Sequence, residues 1–455
     1  MVKDTRIAQG PLPALIGRVL DKGREFLRNH HPGAGVCAWR PVLDPRRNAS
    51  VAGERGPGSR GLAIVFMPYL QPGGGAERYA VVTAAALAER GHDDVILANA
   101  DVTHTWLEKH YGLDLSGVRI HRIKDFSRME RQVPVALCRF IEDWIWKLQL
   151  RPLHADLFIN CASSNETPGT ARTNIYVCHF PHRRDYQCTT FLHRLYMGIM
   201  TVARKVLVTW TPFPHNYQMV VANSHFTSGH VSRLWNVDSM VLPPPCPAMA
   251  VDGVAKGRDI ITVGRFEPVV PKVPNKRFDV LVDAFAGMED LHREGWTLHV
   301  VGACPPAKQQ VVDGLRRRAG SAPVEFHPNV DFQVLRELYS RATMYWHAQG
   351  YGEDADADPK TQEHFGITTV EAMSAGCVPV VYATAGPREV VEGLQDAGLW
   401  RTVEELRAET VRIAHLSEDD QGAASRAARE RATEYDHEHF GDHLMEVIDR
   451  ARTQS

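Results

Sequence analysis

The 455-residue sequence lacks any uninterrupted apolar run of about 18 residues, and its start lacks the apolar core and small-residue cleavage site of a signal peptide. We therefore expect neither a membrane-spanning helix nor export. The eight cysteines include no Cys-x-x-Cys pair and no disulfide-like spacing, and a chain of this length needs no disulfide scaffold. These absences predict a protein of the reducing cytoplasm.

The sequence also lacks an excess of one charge, since 52 Lys and Arg stand against 54 Asp and Glu. Nucleic acid is therefore not an expected ligand. Residues 1–60 are an exception, with eleven Lys/Arg and five Asp/Glu. They contain one amphipathic segment, Leu12–Leu27, and then a linker rich in Pro and Gly. Two interpretations stay open for this basic extension: a poorly ordered terminus, or a helix that lies on anionic lipid.

Short apolar runs alternate with helical segments from residue 62 onwards, which is the pattern of an α/β fold with parallel strands. Consecutive prolines at Leu242–Pro247 interrupt the series, because proline continues neither a helix nor a central strand. The predicted domains are residues 1–60 (extension), 61–247 and 248–435 (two α/β domains) and 436–455 (C-terminal helix). The predicted strands are Leu62–Met67, Val95–Ala98, Leu157–Ile159, Ile175–Val177, Met219–Ala222, Asp259–Val263, Thr297–Val301, Met344–Trp346 and Val378–Val381.

The segment Glu363–Val380 has the strongest chemical signal. Gly366 and Thr368 suit the start of a helix, whose free N–H groups and positive dipole end would face an anion. Glu363 and Glu371 are eight residues apart on either side of that start. Carboxylates would repel a phosphate, so we expect them to bind neutral hydroxyls beside it. A nucleotide sugar offers this arrangement, because ribose and hexose hydroxyls flank its diphosphate.

Five segments together resemble one family, the retaining GT-B glycosyltransferases of glycosyltransferase family 4. They occur in the family's order between residues 62 and 389. The segments are Gly73–Arg78, Ala222–Thr227, Gly264–Phe266, Asn275–Leu281 and Glu363–Val380. Within the family, Cys178–Pro181 and Glu363–Ile367 most resemble the mannosyltransferases that act on polyprenyl-linked oligosaccharides.

The resemblance implies two Rossmann-like domains that face each other across a cleft, the first for the acceptor and the second for the nucleotide sugar. It implies that Arg265 and Lys276 neutralise the donor diphosphate, as a guanidinium and an ammonium can. Glu371 would bind the ribose and Glu363 the transferred sugar. Two departures from the family concern this loop: Arg277 replaces an expected glycine, and Arg265 and Lys276 are further apart than usual.

The resemblance also implies roles for backbone segments and for one histidine. The segment Phe365, Gly366 and Ile367 would bind the sugar and phosphate. The loop of Gly73, Gly74 and Gly75 would approach the same diphosphate closely, as glycine allows. His179 would lie near the sugar and the acceptor.

The implied reaction moves a hexosyl unit from GDP-mannose or a UDP-hexose to an acceptor hydroxyl, with retention and with no metal or other cofactor. The expected acceptor is a glycan of the cell envelope or one linked to lipid. An acidic stretch, Asp354–Asp358, contains the Asp-x-Asp pattern that binds Mn²⁺ or Mg²⁺ in another glycosyltransferase fold. We predict that it is a solvated loop, since Arg265 and Lys276 can neutralise the diphosphate.

Residues 182–218 mix basic, aromatic and aliphatic side chains. This mixture fits either an amphipathic core helix or a segment that attaches to the cytoplasmic face of a membrane.

Three other function classes share parts of the pattern. A sugar-nucleotide epimerase or phosphorylase of the same architecture and a non-catalytic sugar-nucleotide-binding protein stay open. A dinucleotide-dependent oxidoreductase is disfavoured, because the glycine loop lacks Gly-x-Gly-x-x-Gly and no acidic residue ends the second strand at Leu97–Asn99.

Overall fold

The computed structural model describes residues 60–71, 73–129, 133–163, 165–182 and 191–454. The basic extension, including the amphipathic segment Leu12–Leu27, lies outside the described residues. Within the described part, no helix is both long enough and apolar enough to cross a membrane. The six cysteines described there are buried, and no two of them form a disulfide: Cys138, Cys161, Cys178, Cys246, Cys304 and Cys377.

The first half of the described chain forms a seven-stranded parallel sheet in the order β3-β2-β1-β4-β5-β6-β7. Its central strands are continuous apolar runs because helices cover both faces of a parallel sheet. The strand order reverses between β1 and β4, and ligands of such sheets bind at this switch point. The strands are β1 Leu62–Phe66, β2 Asp94–Asn99, β3 Val118–Arg122, β4 Leu157–Asn160, β5 Thr173–Cys178, β6 Met219–Ala222 and β7 Met240–Val241.

Five α-helices connect these strands. Glycine and alanine residues begin α1, and its alanine-rich middle is buried against the sheet. The hydroxyls of Thr103 and Ser224 cap the first turns of α2 and α5, as their residue type favours. The helices are α1 Gly75–Glu89, α2 His104–Tyr111, α3 Val135–Leu150, α4 Phe191–Ala203 and α5 His225–Trp235.

The second half forms a six-stranded parallel sheet in the order β10-β9-β8-β11-β12-β13. Its strands lie beyond the proline-rich segment Leu242–Pro247, and its largest buried core contains Trp296, Trp346 and Trp400. The strands are β8 Asp259–Val263, β9 Thr297–Gly302, β10 Val324–Pro328, β11 Met344–His347, β12 Val378–Tyr382 and β13 Gly398–Trp400. The helices are α6 Phe278–Ala286, α7 Glu289–Arg293, α8 Gln309–Ala319, α9 Phe332–Arg341, α10 Ile367–Ser374, α11 Ala385–Val390, α12 Val403–Ala414, α13 Glu418–Thr433 and α14 His437–Thr453.

The apolar-run criterion misses the edge strands β7 and β13, which have only two and three residues. It also misses the edge strands β3 and β10. Their sequences, Val-Arg-Ile-His-Arg and Val-Glu-Phe-His-Pro, alternate apolar and polar residues, because an edge strand is partly exposed. Both nevertheless pair in parallel with their neighbours, β2 and β9.

The last helix, α14, packs against the first sheet rather than the second. Phe440, Leu444 and Ile448 are buried in the core of the first sheet, and the ring of Phe440 contacts the ring of Tyr79 edge-on with centroids 5.1 Å apart. The chain therefore crosses back after completing the second sheet. The sequence predicts this helix but not the domain that it covers.

Direct contacts connect the two halves. The Glu389 carboxylate at the end of α11 accepts hydrogen bonds from the backbone N–H groups of His225 (2.8 Å) and Phe226 (2.6 Å) at the start of α5. The rings of Phe180 and His364 stack with centroids 4.1 Å apart. A residue of the second half thus satisfies free donors of a helix in the first half.

Candidate active site

The glycine loop after β1 lies against the start of α10. A Cβ atom added to Gly75 would lie 2.3 Å from Cδ1 of Ile367. Gly73 has φ +64° and would place a Cβ 2.7 Å from Nε2 of His110. The glycines therefore permit both the turn and the close approach of the two halves. The structure thus brings the two motifs together, as the sequence predicts.

The start of α10 has the geometry expected of an anion-facing helix end. Gly366 has φ +98°, a conformation that favours glycine, and the helix begins at Ile367. The Thr368 hydroxyl is 2.7 Å from the Tyr345 hydroxyl, and Phe365 is buried. The hydroxyl of Thr369 is buried and has no hydrogen-bond partner among the described residues. In the first turn, the N–H of Thr369 donates to the carbonyl oxygen of Gly366 at 2.9 Å, whereas those of Ile367 and Thr368 donate to no group in the described part of the chain and could face an anion.

Lys276 and Glu363 form an ion pair beside this helix start. The side chain of Glu363 is only 19% exposed. Burial by itself raises the pKa of Glu363. The charge of the nearby Lys276 ammonium acts in the opposite direction, and the net result is a pKa of about 2. The aliphatic chain of Lys276 covers Gly264, where an added Cβ would lie 2.4 Å from the lysine Cγ. The ammonium is therefore held in place by an ionised carboxylate, and its binding of a diphosphate stays a prediction.

The other two cations of this loop differ in their surroundings. Arg265 is exposed and is free to meet an anion, since no hydrogen bond or ion pair joins it to the described residues. Arg277 has φ +53°, which explains why a glycine is usual at this position. Its guanidinium bonds to Asp279 (3.2 Å) and lies 5.8 Å from the centroid of the Tyr351 ring. Arg277 thus stabilises the loop, and its charge is paired with Asp279.

Glu371 lies one turn inside α10 and accepts a hydrogen bond from the Tyr339 hydroxyl at 3.3 Å. Burial raises its pKa to about 7, although the positive charge of Arg78 acts in the opposite direction. Arg78 comes from α1 in the first half, and its Nε is buried with no hydrogen-bond partner in the described part of the chain. The sequence includes Arg78 in the glycine motif without assigning it a site role.

A buried histidine at the end of β11 also belongs to this cluster. Both ring nitrogens of His347 are buried without a hydrogen-bond partner among the described residues. Burial lowers its pKa to about 3, and the Lys276 ammonium adds to this effect. The ring is therefore neutral next to the Lys276–Glu363 pair. Its position at the carboxyl end of a central strand is the signal that points to it in the sequence.

His179 and His364 lie where the halves meet. The Nε2 atom of His179 is 2.9 Å from the carbonyl oxygen of Cys161, and burial lowers the pKa of His179. His364 has a buried Nε2 with no partner, and burial lowers its pKa to about 4. One nitrogen of His179 is thus engaged by the backbone, and its contact with a sugar stays a prediction.

The acidic stretch before Glu363 forms contacts within its own loop and with Lys272. The Asp354 carboxylate accepts the backbone N–H groups of Asp356 (2.9 Å) and Ala357 (3.0 Å). The Asp358 carboxylate pairs with the Lys272 ammonium at 3.2 Å. Two of the three aspartates therefore have partners other than a metal ion.

Comparison with known proteins agrees with this geometry. Residues 253–435 match the family described as Glycosyl transferases group 1. The chain is 26% identical over 257 residues to the GDP-Man:Man(3)GlcNAc(2)-PP-Dol alpha-1,2-mannosyltransferase of Homo sapiens, covering 51% of this chain and 48% of the relative. Its counterpart in Mus musculus is 28% identical over 188 residues, which cover 37% and 35%. The chain thus spans a third to a half of the length of these curated relatives.

Solved structures show the same architecture. A glycosyltransferase from Rickettsia africae superimposes with a TM-score of 0.60 at 14% identity, covering 87% of this chain and 99% of that one. WaaG, a glycosyltransferase involved in lipopolysaccharide biosynthesis, gives 0.54 at 17% identity, with 85% and 99% covered. The HepE protein of Anabaena, in complex with UDP and glucose, gives 0.54 at 16% identity over the same shares. The chain therefore has the two-domain fold of these glycosyltransferase structures, and its residues 253–435 match the family described as Glycosyl transferases group 1.

Proposed function

We propose that this protein transfers a hexosyl unit, with retention, from a nucleoside-diphosphate sugar to an acceptor hydroxyl. One observation carries the proposal: the start of α10, with the unpaired N–H groups of Ile367 and Thr368, lies in the chain between Glu363, which is paired with Lys276, and Glu371, and Gly75 lies against Ile367. This arrangement matches a diphosphate between two polyols. GDP-mannose is the first donor to test, because the curated relatives have GDP-Man in their names.

In this proposal the residues have the following roles. The diphosphate binds at the α10 start, where Lys276 and Arg265 stabilise the negative charge that develops as the sugar leaves. Glu363 accepts hydroxyl hydrogens of the transferred sugar, and Glu371 those of the ribose. The leaving phosphate accepts the proton of the acceptor hydroxyl, so no protein base is needed. Transfer requires no metal ion in this proposal.

A cavity of about 480 Å³ at the carboxyl ends of β1, β4 and β5 fits the acceptor. Met67 and Glu77 line it near the glycine loop, while Met200 and Trp210 line it near the protein surface. The Arg204 guanidinium in its wall pairs with Asp143. The lining mixes charged side chains such as Glu77 and Arg204 with apolar ones such as Met200 and Trp210, so it offers partners to a sugar and to an apolar group joined to it. A lipid-linked glycan is therefore the proposed acceptor class.

The direct test measures thermal stability and product formation with GDP-, UDP-, ADP- and dTDP-sugars. Ligand at 100 times its dissociation constant adds about 2.7 kcal/mol to the stability, so we expect a clear rise in Tm with one of them, GDP-mannose first. With a lipid-linked acceptor, the same donor should give a glycosylated product, and EDTA should leave the rate unchanged.

Other outcomes of this test would contradict the proposal. Donor consumption without acceptor would indicate an epimerase. A Tm shift without turnover under all acceptor conditions would indicate a binding protein, and a rate that requires added Mg²⁺ would refute the metal-free mechanism.

We further propose that α4 attaches the protein to the cytoplasmic face of a membrane. Phe191, Leu195, Ile199 and Val202 follow one helix face and are between 50% and 78% exposed. The neighbouring Lys205 is also exposed. An apolar face with adjacent positive charge suits an anionic lipid surface. Residues 183–190, which precede α4 in the predicted attachment segment, lie outside the described residues.

Ile199→Glu should reduce co-sedimentation with anionic liposomes at least fivefold, because a carboxylate on this face opposes insertion and repels the lipid. Phe332→Glu is the matched control, since Phe332 is 58% exposed on α9 of the second half. It should leave co-sedimentation unchanged. Equal binding by the two variants would rule out α4 as the attachment surface.

A further inference from the structure

A group of metal-ligand side chains lies at the edge of the second sheet, apart from the donor site. In the described part of the chain, His299, Glu325 and His327 place their ligand atoms within 4.8 Å of one another. His299 is on β9, and Glu325 and His327 are on the edge strand β10. Glu325 is opposite His299 in the register, and His327 is two residues further along, so all three project from one face.

The spacing of the three ligand atoms suits a tetrahedral ion. Nδ1 of His299 is 3.0 Å from Nε2 of His327, and an oxygen of Glu325 is 3.5 Å from each nitrogen. With Zn–N and Zn–O bonds of about 2.0–2.1 Å, ligand atoms of a tetrahedral zinc ion lie about 3.4 Å apart. A movement of a few tenths of an ångström therefore converts this contact into coordination.

Further hydrogen bonds orient the ring of His299 for coordination. The carboxylate of Asp259 on β8 is 3.0 Å from Nε2 of His299, and its other oxygen bonds to Arg341 at 3.1 Å. Both His299 and Asp259 are buried. The carboxylate holds the proton on Nε2, which leaves the lone pair on Nδ1 facing His327 and Glu325. Zinc-bound histidines commonly have such a carboxylate partner.

We propose that His299, Glu325 and His327 bind one Zn²⁺ ion, with water in the fourth position and Asp259 as the positioning residue. The ion links the edge strand β10 to β9, so its expected effect is on stability. The strand order places β8 and β9 between β10 and the strand β11 that leads to the donor site. The proposal is thus independent of the proposed glycosyl transfer.

The test uses the full chain, stripped with EDTA and titrated with Zn²⁺ or Co²⁺. We expect one ion per chain, a rise in Tm of several degrees with Zn²⁺, and the intense visible bands of tetrahedral Co²⁺. His327→Ala and Glu325→Gln should each weaken binding at least tenfold. Both side chains lie on an edge strand and are partly exposed, so the variants should fold. Asp259→Asn should weaken binding about 10–100-fold by loss of the orienting charge.

His415→Ala is the matched control, because His415 is an exposed histidine with a single carboxylate partner, Glu294, at 3.2 Å. It should bind Zn²⁺ as the wild type does. Unchanged Zn²⁺ affinity in both His327→Ala and Glu325→Gln would overturn the proposal, and so would an octahedral Co²⁺ spectrum. In those cases the three side chains form only a hydrogen-bonded chain. Glycosyl transfer without metal would be unaffected by either result.

Discussion

Lys276→Met is expected to lower kcat/KM for glycosyl transfer about 1000-fold. Methionine retains the aliphatic contact over Gly264 but removes the charge that we propose to neutralise the diphosphate. Loss of one group that stabilises developing charge typically costs about 100–1000-fold in rate. The substitution also leaves the carboxylate of Glu363 without its cation, which disturbs the sugar site. Steady-state kinetics with the donor identified in the binding test measure the effect.

Two control variants distinguish the loss of the Lys276 charge from a general loss of structure. Lys276→Arg keeps a cation and should retain more activity than Lys276→Met. Arg318→Met removes a cation from an ion pair with Asp283 on the outer helices and should leave transfer unchanged. Because the Lys276–Glu363 pair is largely buried, unfolding by urea should show a loss of about 3 kcal/mol in Lys276→Met. Wild-type kcat/KM in Lys276→Met would refute its role at the diphosphate.

Glu371→Ala is expected to weaken donor binding about 100-fold or more. The carboxylate is the acceptor proposed for the two ribose hydroxyls, and hydrogen bonds to a charged group contribute about 1.5–3 kcal/mol each. Isothermal titration with the donor measures the change. Glu371→Gln keeps a hydrogen-bond acceptor for Tyr339 and should bind the donor better than Glu371→Ala. Equal affinity of the wild type and Glu371→Ala would place the ribose elsewhere.

The raised pKa of Glu371 adds a pH signature. Since hydroxyls donate more strongly to the ionised carboxylate, donor affinity should rise as the pH passes through about 7, and Glu371→Gln should remove this rise. Protein stability without donor should change in the opposite direction. A pKa raised from 4.5 to about 7 means that the folded state binds the proton more tightly. The stability from this group is therefore present below pH 4.5 and is lost as the pH rises to about 7.

Thermal unfolding across this pH range tests the stability change. The expected loss is on the order of 3 kcal/mol between pH 4.5 and 7 in the wild type relative to Glu371→Gln. The contribution of Glu363 to stability changes with pH in the opposite direction, because its pKa is lowered to about 2. Its stabilising effect is present above pH 4.5 and is lost as the pH falls to about 2. Parallel stability profiles for wild type and Glu371→Gln would show that Glu371 titrates normally.

Local signals were sufficient for the central strands of the second half of the chain and for the helix that begins near Gly366. Continuous apolar runs predicted the central strands because a strand covered on both faces cannot alternate with polar residues. The helix start near Gly366 could be predicted because a positive φ and the first free N–H groups have their own sequence preferences. The edge strands could not be predicted in this way, since their exposure produces the alternation of an ordinary surface segment.

The pairing of Lys276 with Glu363 could not be predicted from local sequence patterns. The two residues are 87 positions apart, and either could have been an isolated surface charge. The same holds for His347, whose neutral state results from burial by segments that are remote in sequence. Arg78 reaches the surroundings of Glu371 only because α1 of the first sheet meets α10 of the second.

The sequence by itself determined the α/β class, the two sheets and the segments of the proposed donor site, because periodicity, glycine positions and helix starts depend on near neighbours in the chain. The tertiary structure alone decided which charged residues form pairs, which histidines are buried and that α14 packs against the first sheet. It also brought His299 to Glu325 and His327 across two strands. These outcomes depend on contacts between distant segments, and the free energy of a buried charge depends on all the groups around it.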